Sequence, residues 1–352
     1  MEKILADCPA LPRLEATPLS ERYALAPEFA SAPRITIPSN RLVLRVFNLL
    51  LRLQRRGFSW SDRVSVCTHS VRGQDGSVTP VFEITPNDLS GPAPALVDYH
   101  GGGFFFTYAA LHLAAAERYA VEGRCRVYLP DYRLSIAHPF PAAFDDCYAT
   151  LAWVHANADD LGVDSQRVAL IGDSAGGALA AGVAQKAFDR SENPICAQIL
   201  VYPVTDHETR TESARRFTDT PFWKTASNRS MWKVYLRDSD HGRSGGKAPA
   251  PTYAAPLHRE SFAGLPPAWI EVAEFDPLLD EGRQYARALE AAGVPVELRL
   301  AKGAIHGYDL VEGSPTALAV FKERMAAIQR YFGEYSEEAA PTGRSSTTPR
   351  PS

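Results

Sequence analysis

Along the chain, short apolar runs bounded by turn residues alternate with longer stretches whose apolar positions recur at helical spacing. The short runs fall at 64–68, 81–84, 95–99, 126–129, 168–171, 198–201, 269–272 and 296–300, and each predicts a strand. The longer stretches predict helices over about 110–122, 142–158, 175–183, 278–292 and 316–332. Strands that alternate with helices of a dozen or more residues predict an α/β fold whose mostly parallel sheet is covered on both faces. The first two strands, joined by a turn at Gly73–Gly76, predict an antiparallel edge.

Four stretches depart from this alternation. Residues 1–38 are rich in proline and irregular. Residues 40–55 place apolar side chains at helical spacing with arginines on the other face, which predicts a helix packed on the body, with a membrane-surface role as the rival reading. Residues 206–250 are polar and charged but hold Phe217, Phe222, Trp223, Met231, Trp232 and Tyr235. An insertion in an α/β sheet sits at the carboxyl edge of the strands, where ligands bind, so this one reads as part of a lid, with simple packing as the alternative. A helix over 230–236 would align Met231, Trp232 and Tyr235. The last stretch, from Ser336, is rich in Ser, Thr, Pro and Gly and reads as a disordered tail.

The first candidate chemistry lies at Gly172-Asp173-Ser174-Ala175-Gly176, between the strand at 168–171 and the helix at 175–183. A serine on a sharp strand-to-helix turn, with glycines on both sides, has its hydroxyl pushed out above the sheet. The helix amino end behind it supplies free N–H groups and a positive dipole end for a developing oxyanion. A glycine-rich turn with an incidental serine would satisfy the same five positions, so the remaining parts decide.

Those parts occur in order. His100-Gly101-Gly102-Gly103-Phe104 follows the strand at 95–99, and three consecutive glycines leave bare N–H groups that can approach a substrate oxygen. The N–H groups of Gly102, Gly103 and Ala175 are the candidate oxyanion hole. A phosphate loop is the other reading, but Phe104-Phe105-Phe106 stands where Gly-Lys-Ser/Thr would be needed. Asp276 follows the strand at 269–272, where a carboxylate could orient a histidine or, before Pro277, simply cap a helix. Asp280 and Glu281 fall at the start of the next helix and read as capping groups. His306, followed by Gly307, lies after the strand at 296–300 and suits a base that accepts and returns a proton near neutral pH. The order Ser174, Asp276, His306 is the order of an α/β-hydrolase triad. His100 precedes the serine, so with Gly101 it reads as support for the glycine loop. Phe104, Asp173, Phe222, Trp223 and Trp232 are the candidate pocket residues.

Composition narrows the function class. The chain has 352 residues, a 45% hydrophobic fraction and a formal net charge of −4, which suits one large α/β domain and gives no electrostatic case for nucleic acid. The cysteines, Cys8, Cys67, Cys125, Cys147 and Cys196, are odd in number and scattered. Cys125 and Cys196 lie in apolar stretches and read as reduced core residues. No signal peptide and no spanning stretch is legible, so a cytoplasmic location without stable membrane insertion is expected. The nine histidines show no metal-ligand spacing.

Together, the segments His100–Phe104, Gly172–Gly177, Asp276–Glu281 and His306-Gly307 resemble the hormone-sensitive-lipase-like esterases, the GDSAG branch also called bacterial family IV. Residues 131–134 (Asp-Tyr-Arg-Leu), 138–142 (His-Pro-Phe-Pro-Ala) and Tyr202-Pro203 are similar to that family as well. The resemblance covers about 64–331, most of the insertion excepted. It implies an α/β-hydrolase fold with an eight-stranded sheet and a helical cap built from the N-terminal segment and the insertion after the sixth strand. It further implies no metal or organic cofactor, and hydrolysis of carboxylic esters of small molecules, usually with short acyl chains. On that reading residues 1–62 and 206–250 are cap, 63–205 and 251–335 are hydrolase core, and 336–352 are tail. Three positions depart from the family: Thr107-Tyr108 in place of Gly-Ser, Ser135-Ile136-Ala137 in place of Ala-Pro-Glu, and Ala178 in place of Asn. None removes a catalytic atom, and all three bear on the pocket. Amide, carbamate or lactone hydrolysis, acyl transfer, a lipase acting at lipid interfaces, and a non-catalytic small-molecule receptor are the alternatives. A homodimer paired through the last strand is left open.

Overall fold

The computed structural model describes residues 22–34, 40–311 and 313–338. Each predicted strand is present, and most run further than the apolar run that announced them. They are β1 (Val64–Arg72), β2 (Val78–Pro86), β3 (Ala93–Tyr99), β4 (Arg126–Pro130), β5 (Val163–Asp173), β6 (Ala197–Val201), β7 (Ala268–Phe275) and β8 (Val296–Ile305). They form one sheet in the order β1-β2-β4-β3-β5-β6-β7-β8. β1 pairs with β2, and β2 with β4, in antiparallel register; the remaining pairs are parallel. The chain is an α/β-hydrolase fold.

Alternation along the central strands sends side chains to two cores. Ala95, Val97 and Tyr99 of β3, Val168 and Leu170 of β5 and Leu200 of β6 face one layer. Leu96, Ala169, Ile171 and Ile199 face the other. Because both faces are covered, these strands are buried throughout, while β1 at the edge buries only Val64 and Val71 near its two ends. The first layer is closed by α3 (Ala142–Ala156), α5 (Ala175–Arg190) and α9 (Leu279–Ala291), and the second by α2 (Ala110–Gly123) and α10 (Pro315–Glu338). A short helix α4 (Ala158–Leu161) leads into β5.

The stretch at 40–55 forms α1 (Arg41–Arg55), with the Asn40 side chain accepting from the Leu42 and Val43 N–H groups as a cap. Residues 206–250 hold α6 (Glu212–Arg216), α7 (Thr225–Tyr235) and α8 (Asp240–Arg243). The helix expected at 230–236 therefore starts five residues earlier. Its Met231, Trp232 and Tyr235 share a buried face, as the spacing indicated. Helix α10 continues through Glu338, three residues into the stretch read as a tail; the rest of that tail, residues 1–21 and Cys8 lie outside the described residues. Cys125, Cys147 and Cys196 are buried free thiols, and Cys67 is an exposed one. Burial pushes the Cys196 thiol up to about 12. No helix among the described residues is long and apolar enough to cross a membrane.

One polar group is built into the second core. Arg324 of α10 is 2% exposed and forks onto Glu271 of β7, with Nε and Nη2 at 2.6 and 2.7 Å from its two carboxylate oxygens. Tyr119 accepts from Arg324 Nη1 at 2.6 Å, Trp269 donates to Glu271 at 2.8 Å, and the Tyr308 hydroxyl donates to Glu271 as well. Removing one partner of a buried pair strands the other charge, which costs about 3–5 kcal/mol. Arg324→Met should therefore lower the unfolding free energy by about that much. Adding Glu271→Gln, which keeps an acceptor but no charge, should restore part of the loss. Urea titration of the two variants checks this, and a double variant no more stable than the single one would contradict it.

Candidate active site

Three side chains from distant points of the chain meet at the carboxyl edge of the sheet. Ser174 sits between β5 and α5, Asp276 one residue past β7, and His306 one residue past β8. Ser174 Oγ lies 3.0 Å from His306 Nε2, and His306 Nδ1 lies 2.7 Å from Asp276 Oδ2. All three are buried, with Asp276 completely enclosed. The second oxygen of Asp276, which the histidine does not use, accepts from the Leu278 N–H at 2.8 Å in an Asx turn; the cap position of α9 is Leu278, so Asp276 does not cap that helix.

The turn that presents Ser174 is strained and crowded. Ser174 has φ 53°, in the region a side chain disfavours. Its N–H donates to Val201 of β6 at 2.8 Å, and its carbonyl accepts from Val204 at 3.0 Å, which holds the conformation from the neighbouring strand. A Cβ on Gly176 would lie 1.7 Å from the Tyr99 carbonyl oxygen, and one on Gly172 would lie 2.2 Å from that of Gly176. Only hydrogen fits at either position.

The glycine loop stands opposite. Gly102 and Gly103 have φ 113° and 61° and line the same cavity as Ser174 and His306. The N–H groups of Gly102, Gly103 and Ala175 donate to no carbonyl of the loops and turns among the described residues. The loop is tied from several sides. Asp173 accepts from the Gly101 N–H at 2.7 Å, and Ser135 donates to the Phe104 carbonyl from both its N–H and its hydroxyl. His100 stacks on Tyr132 at 4.2 Å between ring centres, with Nδ1 2.7 Å from the Gly101 carbonyl. Desolvation holds the His100 ring well below the usual histidine value, so it stays neutral.

The cavity at Ser174 has a volume of about 370 Å³ and an almost wholly apolar wall. Of the expected pocket residues, Asp173, Phe222 and Trp223 line it, and the Trp223 ring lies 5.7 Å from that of His306. Phe104 and Trp232 do not: Phe104 is fully buried and stacks on Tyr235 at 3.7 Å, and Trp232 packs behind it. An aromatic next to a glycine loop, or on a cap helix, serves the core as readily as the pocket. Phe47 and Leu51 of α1, Phe106, Leu111 and Leu310 also line the cavity and were not singled out from the sequence. Phe47 and Leu51 fit the helical pattern of α1 equally well as packing residues, so their spacing carried no separate signal.

Further polar groups steady the site. Tyr202, edge-on to the His306 ring at 4.7 Å between centres, donates to Asp309. Asp280 accepts from the Ser213 N–H at 2.7 Å, and Glu281 from those of Thr205 and Asp206 at 2.8 and 3.4 Å, so both carboxylates tie the insertion and its entry to α9, where capping groups were expected. Burial pushes the Glu281 carboxyl well above the usual carboxylate range. Among the described residues, metal-type donors converge at two other places. Cys67, His69 and Glu83, and separately Asp206, His207 and His258, each bring three ligand atoms within 4.8 Å of one another. Neither group lines the cavity at Ser174.

Comparison with known proteins bears on the fold and the family. Residues 96–310 match a family described as alpha/beta hydrolase fold. The chain is 39% identical to the esterase LipI of Mycobacterium tuberculosis over 216 residues, 61% of this chain and 66% of that protein. It is 38% identical to the carboxylesterase NlhH of the same organism over 263 residues, 73% of this chain and 80% of the relative. Among solved structures, a bacterial heroin esterase superposes with a TM-score of 0.80 at 35% identity, covering 88% of this chain and 98% of its own. The esterase LipW of Mycobacterium marinum follows with a TM-score of 0.79 at 33% identity, covering 89% and 96%.

The neutral His100 links stability to pH. Its folded value lies below the unfolded value of about 6.5, so its contribution is complete above that pH and is lost as pH falls through the window beneath it. His155 and His207, both depressed by burial to about 4, add slopes of the same sign. Urea midpoints measured from pH 8 down to pH 5, as about the range that brackets this window, should fall less steeply in His100→Gln than in the unsubstituted protein. Equal slopes would contradict the assignment.

Proposed function

We propose, from the premise that the chain belongs to the alpha/beta hydrolase family, in its hormone-sensitive-lipase-like branch, and is a carboxylic ester hydrolase, that it cleaves short-chain acyl esters through Ser174, His306 and Asp276. The observation that carries the proposal is the unbroken hydrogen-bond path from Ser174 Oγ through the His306 ring to Asp276 Oδ2.

Ser174 Oγ attacks the ester carbonyl carbon as His306 Nε2 takes the hydroxyl proton. The carbonyl oxygen becomes an oxyanion, held by the N–H groups of Gly102, Gly103 and Ala175. Each such donor contributes about 2.7–4 kcal/mol to the transition state in comparable sites. Collapse of this intermediate breaks the bond to the alcohol oxygen, which leaves with the proton from His306 and gives an acyl-Ser174 enzyme. Water then repeats the sequence, with His306 as base, and releases the acid. Asp276 fixes the ring orientation and stabilises the imidazolium in both halves. Acceptance of Leu278 by the other oxygen of Asp276 keeps the carboxylate from rotating.

The cavity volume supports a short acyl chain, since it lies at the small end of ligand pockets, which run from about 300 to 1,000 Å³. Residues 206–250 and the helix α1 close it from above and act as the cap. The intact set of three side chains argues against a receptor that has lost catalysis.

Turnover of p-nitrophenyl acetate and butyrate tests the proposal. Ser174→Ala should lower kcat by about 10⁴-fold or more while leaving the fold intact. Equal rates for variant and parent would end it.

A further inference from the structure

We propose that the outer face of α1 seats the protein on an anionic lipid surface with the mouth of the cavity turned toward it, so that esters dissolved in that surface are its substrates. The assignment of the occupant rests on three observations.

The first is where the exposed apolar side chains are. Of the thirteen large hydrophobic residues exposed among the described residues, seven belong to α1: Leu42, Val43, Val46, Phe47, Leu49, Leu50 and Leu53. The helix packs on the body through Leu44, Asn48, Leu51 and Arg55, which recur at helical spacing. Its apolar residues beyond that stripe are more numerous than those within it, and they point outward. A helix that needed only to cover the body would carry polar residues there. An exposed apolar face of this extent marks a surface that meets another apolar phase.

The second is charge. Between Glu28 and Asp62 the sequence has six arginines and no acidic residue, in a chain whose net charge is −4. Arg41, Arg45, Arg52 and Arg56 are exposed and recur along one flank of α1, beside the apolar face. Apolar residues facing out with arginines at the flank is the pattern of a helix lying in a lipid headgroup region. There the side chains enter the acyl boundary and the guanidinium groups meet phosphates. A second copy of this chain would bring the same arginines face to face and gains nothing from them.

The third is continuity with the site. Phe47 lies on the outward face and also lines the cavity, and Leu111 and Leu310, each 42% exposed, extend the apolar rim around the same mouth. The helix is anchored to the residues that directly follow the glycine loop. Asn48 donates to the Phe105 carbonyl at 2.8 Å and accepts from the Thr107 N–H at 2.8 Å, and Arg55 donates to Thr107 Oγ1 at 2.9 Å. A surface touching α1 therefore touches the entrance to Ser174. With a cavity this small, the fitting substrate carries a short acyl group on a lipid-soluble alcohol. That last step rests on the esterase reading above; the docking itself does not.

Flotation of the full chain with vesicles tests the docking. The protein should rise with vesicles of phosphatidylcholine and phosphatidylglycerol, much less with phosphatidylcholine alone, and less as salt is added. Leu42→Gln, Leu49→Gln and Leu53→Gln together keep helix propensity and avoid the cavity wall, so they should cut vesicle binding at least tenfold and leave p-nitrophenyl acetate turnover unchanged. Ser174→Ala should bind vesicles as the parent does, so a failure of the esterase reading leaves docking measurable. Three results would overturn the proposal: no binding to anionic vesicles, equal binding by the triple variant, or a dimer in light scattering that the triple variant dissolves.

Discussion

The structure depends on how closely the backbone at the end of β5 passes its neighbours. Gly172 and Gly176 meet carbonyl oxygens where a Cβ would stand, and Ser174 between them is held at a positive φ by hydrogen bonds to Val201 of β6 and to Val204 just beyond it. This packing brings the amino end of α5 within reach of the loop that follows β3. It also lifts the Ser174 hydroxyl clear of the sheet. A side chain at Gly176 would push the turn off the end of β3, and one at Gly172 would push the strand off the first turn of α5; either would move the hydroxyl from the imidazole and the Ala175 N–H from the glycine loop. The strain at Ser174 is tolerated because the strands on both sides leave the turn no other course.

The remaining parts of the site are held by burial and polar ties at the same sheet edge. The pair of Arg324 and Glu271 lies beneath the loop that carries His306 and reaches it through Tyr308. Tyr202 and Asp309 brace that loop from the side. Asp280 and Glu281 hold the 206–250 insertion, whose Trp223 forms a wall beside the imidazole. The glycine loop takes its anchors from Asp173, Ser135 and His100 in the core, and the residues that directly follow it from Asn48 and Arg55 of α1. In the proposed mechanism the proton path and the oxyanion donors are thus fixed by different elements.

Much of this was legible before any coordinates. Fully covered parallel strands are apolar from end to end, so the central strands stood out as runs. The three loops bearing Ser174, Asp276 and His306 could be placed because each begins where a run stops. Strand ends were read short, since β5 and β8 extend through residues such as Asp164 and Lys302 that carry no apolar signal. Pocket residues were harder. Phe104 and Trp232 turn inward to the core while Phe47 and Leu310 turn toward the cavity, and nothing in residue type or spacing separates the two outcomes. Contacts between residues far apart in the chain, such as Glu271 with Arg324, leave no local pattern at all. The spacing along α1 put its apolar side against the body and its arginines outside; the structure instead packs Leu44, Asn48, Leu51 and Arg55 and leaves seven apolar side chains outward, because Asn48 and Arg55 find partners at Phe105 and Thr107 just past the glycine loop.

The account stands on one geometric claim: the hydroxyl of Ser174 and the N–H groups of Gly102, Gly103 and Ala175 address the same carbonyl group. A crystal structure of the protein after reaction with an alkyl fluorophosphonate measures this directly. The account predicts phosphorus bonded to Ser174 Oγ, with the phosphoryl oxygen at about 2.7–3.1 Å from those backbone nitrogens. A phosphoryl oxygen directed away from the glycine loop, or phosphorus attached to a different side chain, would contradict it.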